Sequence, residues 1–131
     1  MASLKALAVF PTYRESERPR CPFCGEPFER PPREVPREQG DFYRFLCSCG
    51  AVGALDVTGH NLGDALMETI AFAYGNDWEL ALAMEADEDY DIKYIDCYHP
   101  GDHRVLAGHS VCKTGMAAFV FVKQKSRKHL H

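Results

Sequence analysis

Two cysteine–glycine turns constrain this chain more than any other feature. Cys21-Pro22-Phe23-Cys24-Gly25 and Cys47-Ser48-Cys49-Gly50 each put two thiols on a tight loop, and twenty-two residues separate Cys24 from Cys47. In a Cys-x-x-Cys turn both sulfurs converge on one side of the loop. The glycine that follows lets the backbone turn with φ > 0, where a Cβ clashes. The intervening stretch is long enough for a hairpin that carries the second pair back onto the first. Four thiolates gathered in this way form the soft tetrahedral donor set that Zn²⁺ prefers, so Cys21, Cys24, Cys47 and Cys49 are the predicted metal ligands. A site filled by four protein ligands keeps no open coordination position. Its expected contribution is folding energy, on the order of 10–16 kcal/mol in small zinc-finger peptides, rather than Lewis-acid chemistry.

Over about residues 18–57 the two knuckles resemble those of the zinc ribbons, the rubredoxin-like knuckle proteins. Pro22 inside the first knuckle fits that pattern. The second knuckle has one residue between its cysteines where the commonest form has two, and this favours zinc over a rubredoxin-type iron site. Iron and a dithiol redox pair are the alternatives. The resemblance implies a structural metal and permits nucleic-acid binding, since many ribbons work that way.

The rest of the chain reads as a small α+β body, with the ribbon inserted in it or appended to it. The body is expected to have one or two helices and an antiparallel sheet. Residues 3–10 read as a buried strand and residues 12–20 as a polar connection. Glu29 to Gly40 holds three prolines among alternating charges, which excludes a helix or an inner strand and leaves an extended arm. Asp41 to Leu46 and Ala51 to Val57 read as strands into and out of the second knuckle. Asn61 to Gly75 is the clearest helix, with Asn61 as its cap and Leu62, Leu66, Ile70 and Ala73 on its inward face. A second helix starts at Asn76 or Asp77. Tyr90 to Tyr98 is β-like, Pro100-Gly101-Asp102 is a turn, and Val105 to Ala107 is a short apolar piece. Met116 to Val122 is seven apolar residues in a row, the signature of a central strand covered on both faces. The resulting division is 1–17 strand and connection, 18–57 ribbon, 58–122 body, and 123–131 a basic tail expected to be disordered.

No apolar stretch approaches the roughly 18–20 residues that a membrane-spanning helix needs, and the N-terminus has too short an apolar run for a secretory signal. A cytoplasmic protein is the expectation. In that reducing compartment, closely spaced cysteines are more often metal ligands than disulfides. Charge is uneven along the chain. Residues 61–122 carry three Lys/Arg against eleven Asp/Glu, a net of −8, and the tail carries four bases and no acid. The acidic middle is a poor match for a phosphate backbone. Nucleic-acid contact is therefore expected only through Arg30, Arg33 and Arg37 on the arm and through the tail, and Glu29, Glu34 and Glu38 interleave with those arginines. The acidic run from Glu85 to Asp91 lacks the glycine and ligand spacing of a calcium loop and reads as a solvated helix end.

A second constellation, Cys97, His99, His103, His109 and Cys112, is open to three readings. Strands pairing across a long loop bring Cys97 near Cys112 for a second metal or a catalytic Cys/His pair, whereas a tight hairpin centred on Gly101-Asp102 breaks the cluster. In the third reading the cysteines are simply small buried residues and the histidines are surface positions. The sequence thus favours a non-enzymatic zinc-binding adaptor with a protein partner. A nucleic-acid-binding ribbon protein is the first alternative, and an enzyme or enzyme subunit using Cys97, His99, His109 and Cys112 is the second.

Overall fold

The computed structural model describes residues 16–106 and 116–125. Eight elements form in chain order. They are β1 (Ser16–Glu17), β2 (Tyr43–Leu46), β3 (Val52–Asp56), α1 (Leu62–Ala73), α2 (Trp78–Ala83), β4 (Tyr90–His99), β5 (Arg104–Leu106) and β6 (Ala117–Gln124). All the strands join one six-stranded sheet in the order β1-β5-β4-β6-β3-β2, and every neighbouring pair is antiparallel. The fold is α+β, as the sequence indicates. Among the described residues no helix is long and apolar enough to cross a membrane.

Strand β6 explains the apolar run that ends at Val122. It lies between β3 and β4, and Ala117 through Val122 are all buried. Because side chains alternate across a strand, the run supplies two cores at once. Val120 and Val122 pack with Ala54, Ala65, Ile70 and Ala71 beneath the helices. Phe119 and Phe121 pack on the other face with Leu55, Tyr98 and Cys21, against Phe23, Phe28 and Phe45. The sheet is therefore the middle layer, with the helices on one side and the first knuckle on the other. The strand continues through Gln124, and the Lys125 amide donates to the Asp89 carbonyl at 2.9 Å.

Helix α1 presents Leu62, Leu66, Ile70 and Ala73 inward, at the spacing read from sequence, with Ala65 and Thr69 buried beside them. Its start differs from the expected Asn61 cap, because the Asn61 side chain makes no capping bond. The buried Asp56 carboxylate at the end of β3 shapes the loop before the helix instead. It accepts from the Asn61 amide at 2.6 Å, the Thr58 amide at 3.0 Å and the Thr58 hydroxyl at 2.8 Å. Helix α2 has the expected cap, with the Asp77 carboxylate accepting from the Leu80 amide at 3.0 Å. On the arm, Arg37–Gln39 forms a single 3₁₀ turn.

Strand β4 is ten residues long although its alternation is imperfect. A register shift between Ile95 and Tyr98 accounts for this, and Cys97 sits there with φ 59°. Beyond the bulge, Tyr98 pairs with Val105 and His99 with Arg104, so the turn at Gly101-Asp102 closes a tight hairpin. The segment read as a polar connection contains β1, which pairs Ser16 with Leu106. The strand read at residues 3–10 lies outside the described residues.

Candidate metal centre

Each knuckle is closed by its own backbone. In the first, the Gly25 amide donates to the Cys21 carbonyl at 2.8 Å, and the Cys21 amide donates to the Glu26 carbonyl at 2.8 Å. In the second, the Gly50 amide donates to the Cys47 carbonyl at 2.9 Å, and the Cys47 amide donates to the Ala51 carbonyl at 2.8 Å. Gly25 and Gly50 have φ of 82° and 98°, the left-handed geometry that a glycine adopts without strain. The second knuckle is the turn of the β2–β3 hairpin, whose last pair is Leu46 with Val52. The first knuckle stands outside the sheet, with an isolated bridge between Arg20 and Pro27 at its base.

The four sulfurs meet. Sγ of Cys21 is 3.8 Å from Sγ of Cys49, Sγ of Cys24 is 3.6 Å from Sγ of Cys47, and all four lie within 4.8 Å of one another. A disulfide brings its sulfurs to about 2.05 Å, so these are separate thiols. A tetrahedral ion with bonds of about 2.3 Å spaces its sulfurs roughly 3.8 Å apart along each edge, and the two close pairs have that spacing. The residues therefore fit a metal ion, and they are the one such group of His, Cys, Asp and Glu among the described residues. Exposure is graded around the cluster: Cys21 is buried, Cys47 and Cys49 are half-buried, and Cys24 is exposed.

The local electrostatics differ within the cluster. Burial pushes the Cys21 thiol up to about 12, opposed by the amides of Phe23 and Cys24. Burial also acts upward on Cys47, yet the Cys49 amide and the neighbouring thiols outweigh it and bring that group down to about 7. One element that sequence reasoning missed is Lys93 on β4. Its ammonium donates to the Pro22 carbonyl at 3.3 Å and lies 4.9 Å from the centre of the Phe23 ring. It thus ties the first knuckle to the sheet and brings a positive charge to a site that gathers thiolates. A lone lysine in a β-like segment carries no sequence signal of that role.

Of the C-terminal constellation, the described residues show the tight hairpin centred on Gly101-Asp102, and Cys97, His99 and His103 form no metal-type group there. Cys97 is disulfide-bonded, unlike the four knuckle thiols, so it is neither a free buried thiol nor a nucleophile. His103 has both ring nitrogens engaged, Nδ1 with the Tyr98 hydroxyl at 2.7 Å and Nε2 with the Phe28 carbonyl at 2.9 Å. It braces the β4–β5 hairpin against the loop after the first knuckle. His99 turns to Asp102, with Nδ1 3.5 Å from the carboxylate. His109 and Cys112 lie outside the described residues.

Arg30 and Arg33 border a common pocket of about 370 Å³ with Tyr98 and Pro100, while Arg37 lies on the 3₁₀ turn. The acidic run folds on itself: the Asp89 carboxylate accepts from the Glu85 amide at 2.8 Å, and Asp91 lies 3.6 Å from the Lys125 ammonium. The chain matches no protein-family model, and no curated protein or solved structure is measurably similar to it.

Proposed function

We propose that Cys21, Cys24, Cys47 and Cys49 hold one Zn²⁺ in a closed, structural site of zinc-ribbon type, and that the protein is a non-enzymatic adaptor. The convergence of four free thiols at tetrahedral edge spacing carries this reading. When bound, the ion supplies cross-linking rather than reaction chemistry, because four protein sulfurs fill its coordination. The chain's own residues prepare the place. Gly25 and Gly50 set the turns, Lys93 tethers the first knuckle, and Phe23 and Phe28 seat it on the aromatic face of the sheet. The cross-link then joins the one knuckle outside the sheet to the hairpin that belongs to it. Four unpaired thiols side by side fit a reducing compartment such as the cytoplasm.

The adaptor reading follows from the closed site, since four protein sulfurs leave the ion no open position, and from His103, which braces the β4–β5 hairpin with both ring nitrogens. Elemental analysis of purified protein tests the metal assignment. One zinc per chain, retained in Cys97→Ser and lost in Cys21→Ser, is the expected result. Iron at that stoichiometry, with the charge-transfer colour of a ferric tetrathiolate, sinks the zinc assignment. Binding to DNA or RNA that strengthens steeply at low salt replaces the adaptor reading with the nucleic-acid one.

A further inference from the structure

An open cleft of about 570 Å³ lies away from the thiols, between the Pro-rich arm and the first half of α1. The buried residues Phe42 and Leu55 form its apolar floor. Among the described residues, three of the seven exposed large apolar side chains stand around it, Val57 at 61%, Met67 at 39% and Trp78 at 46%. Large apolar groups gathered at one concave place mark an interaction site, whereas the same groups scattered singly need no explanation. Trp78 is also the only tryptophan of the chain.

The charge of the lining states what kind of partner fits. Four carboxylates and one guanidinium, that of Arg33, border the cleft. Two of the carboxylates are already used: Asp56 by the loop before α1, and Glu68 by the Arg44 guanidinium at 2.9 Å. The other two, Asp41 and Asp64, have no side-chain hydrogen bond or ion pair among the described residues. They face the same cleft as Trp78, whose ring is a surface for a desolvated cation. We propose that this cleft docks an extended segment of a protein partner in which a lysine or arginine stands next to an apolar residue. The apolar residue sits on Phe42 and Leu55. The cation sits between Asp41 and Asp64, against Trp78. This deepens the adaptor reading and rests on it.

Trp78 makes the test direct. The zinc-loaded full chain is titrated with short synthetic peptides that alternate arginine or lysine with leucine or phenylalanine. The same peptides with glutamate at every basic position serve as controls. The expected result is saturable binding by the basic set alone, read both as a shift of the tryptophan emission and as fluorescein anisotropy. Asp64→Lys, Asp41→Lys and Trp78→Ala should each weaken it by at least about tenfold. Leu82→Ala, at an exposed apolar position outside the cleft, should leave it unchanged. Equal binding of basic and acidic peptides, or binding indifferent to Asp41→Lys and Asp64→Lys, overturns the proposal. Free arginine amide binding as tightly as the peptides overturns it in favour of a small-molecule site. Zinc content measured on the same samples separates the two readings. A chain that holds one zinc but binds no peptide defeats only the cleft assignment, and a metal-free chain that binds peptide defeats only the zinc assignment.

Discussion

Gly53→Ala should destabilise the protein by about 1–2 kcal/mol, although alanine suits a β-strand better than glycine does. Gly53 pairs with Phe45 on one side and Phe121 on the other, and the two rings close over it. A Cβ at this position falls 2.7 Å from Cζ of Phe45 and 2.8 Å from Cε2 of Phe121. Ordinary carbon contacts are about 3.5–4.0 Å, so the rings must move by roughly 1 Å. Their neighbours oppose that movement. Phe121 is fully buried, and Phe28 lies 5.0 Å from Phe45 and 5.8 Å from Phe121, centroid to centroid. Overpacking of this kind costs about 1–3 kcal/mol, and the restricted unfolded chain returns roughly 0.5–1 kcal/mol. For a chain of this length the melting temperature should fall by about 5 °C. Denaturant unfolding of the zinc-loaded protein, followed by circular dichroism, measures the loss. The double variant Gly53→Ala/Phe45→Leu should lose less than the sum of the two singles, because the smaller side chain vacates the contested space. Wild-type stability in Gly53→Ala, or strict additivity in the double variant, refutes the packing argument.

Three further outcomes are expected. Asp56→Ala removes the acceptor of three donors at a buried position and should cost about 2–4 kcal/mol, a loss visible in the same unfolding assay. Zinc affinity should rise with pH, because loading must expel thiol protons and burial holds the Cys21 proton up to about 12. Competition with a colorimetric chelator should show affinity falling by about tenfold or more per unit as pH drops from neutral toward 5, whereas a flat profile contradicts thiolate ligation. Lys93→Ala frees the first knuckle from β4 and should speed zinc loss to a chelator several-fold while leaving the stoichiometry at one. An unchanged release rate removes Lys93 from the site.

How much of this was legible in the sequence depends on the range of the interaction. The knuckles, the inward face of α1 and the central strand ending at Val122 were readable because each is a local pattern, of glycine, of helical period or of unbroken apolar character. Strand β4 was blurred because the bulge at Cys97 resets the alternation between Ile95 and Tyr98. Strand β1 was not visible at all: two residues carry no period, and Ser16 and Glu17 are strand only because Leu106 and Val105 lie opposite. Asn61 was a reasonable cap by residue type, but the buried Asp56 takes the amide of Asn61 and organises that loop. At the metal centre, all four thiols were nameable from spacing. The lysine and phenylalanine that seat the first knuckle were not, since Lys93 lies 71 positions beyond Pro22. The disulfide at Cys97 runs against the reducing-compartment premise that made the knuckle cysteines readable as ligands.

The central claim is that four cysteines are one metal-dependent cross-link. Amide hydrogen exchange of the zinc-loaded chain, before and after a strong chelator, tests it most directly. The claim predicts one zinc per chain and protected amides in residues 43–56. Chelation should then remove protection first from residues 20–28 and the β2–β3 turn, with re-protection on adding zinc back. Protection in those segments that survives complete metal removal contradicts it.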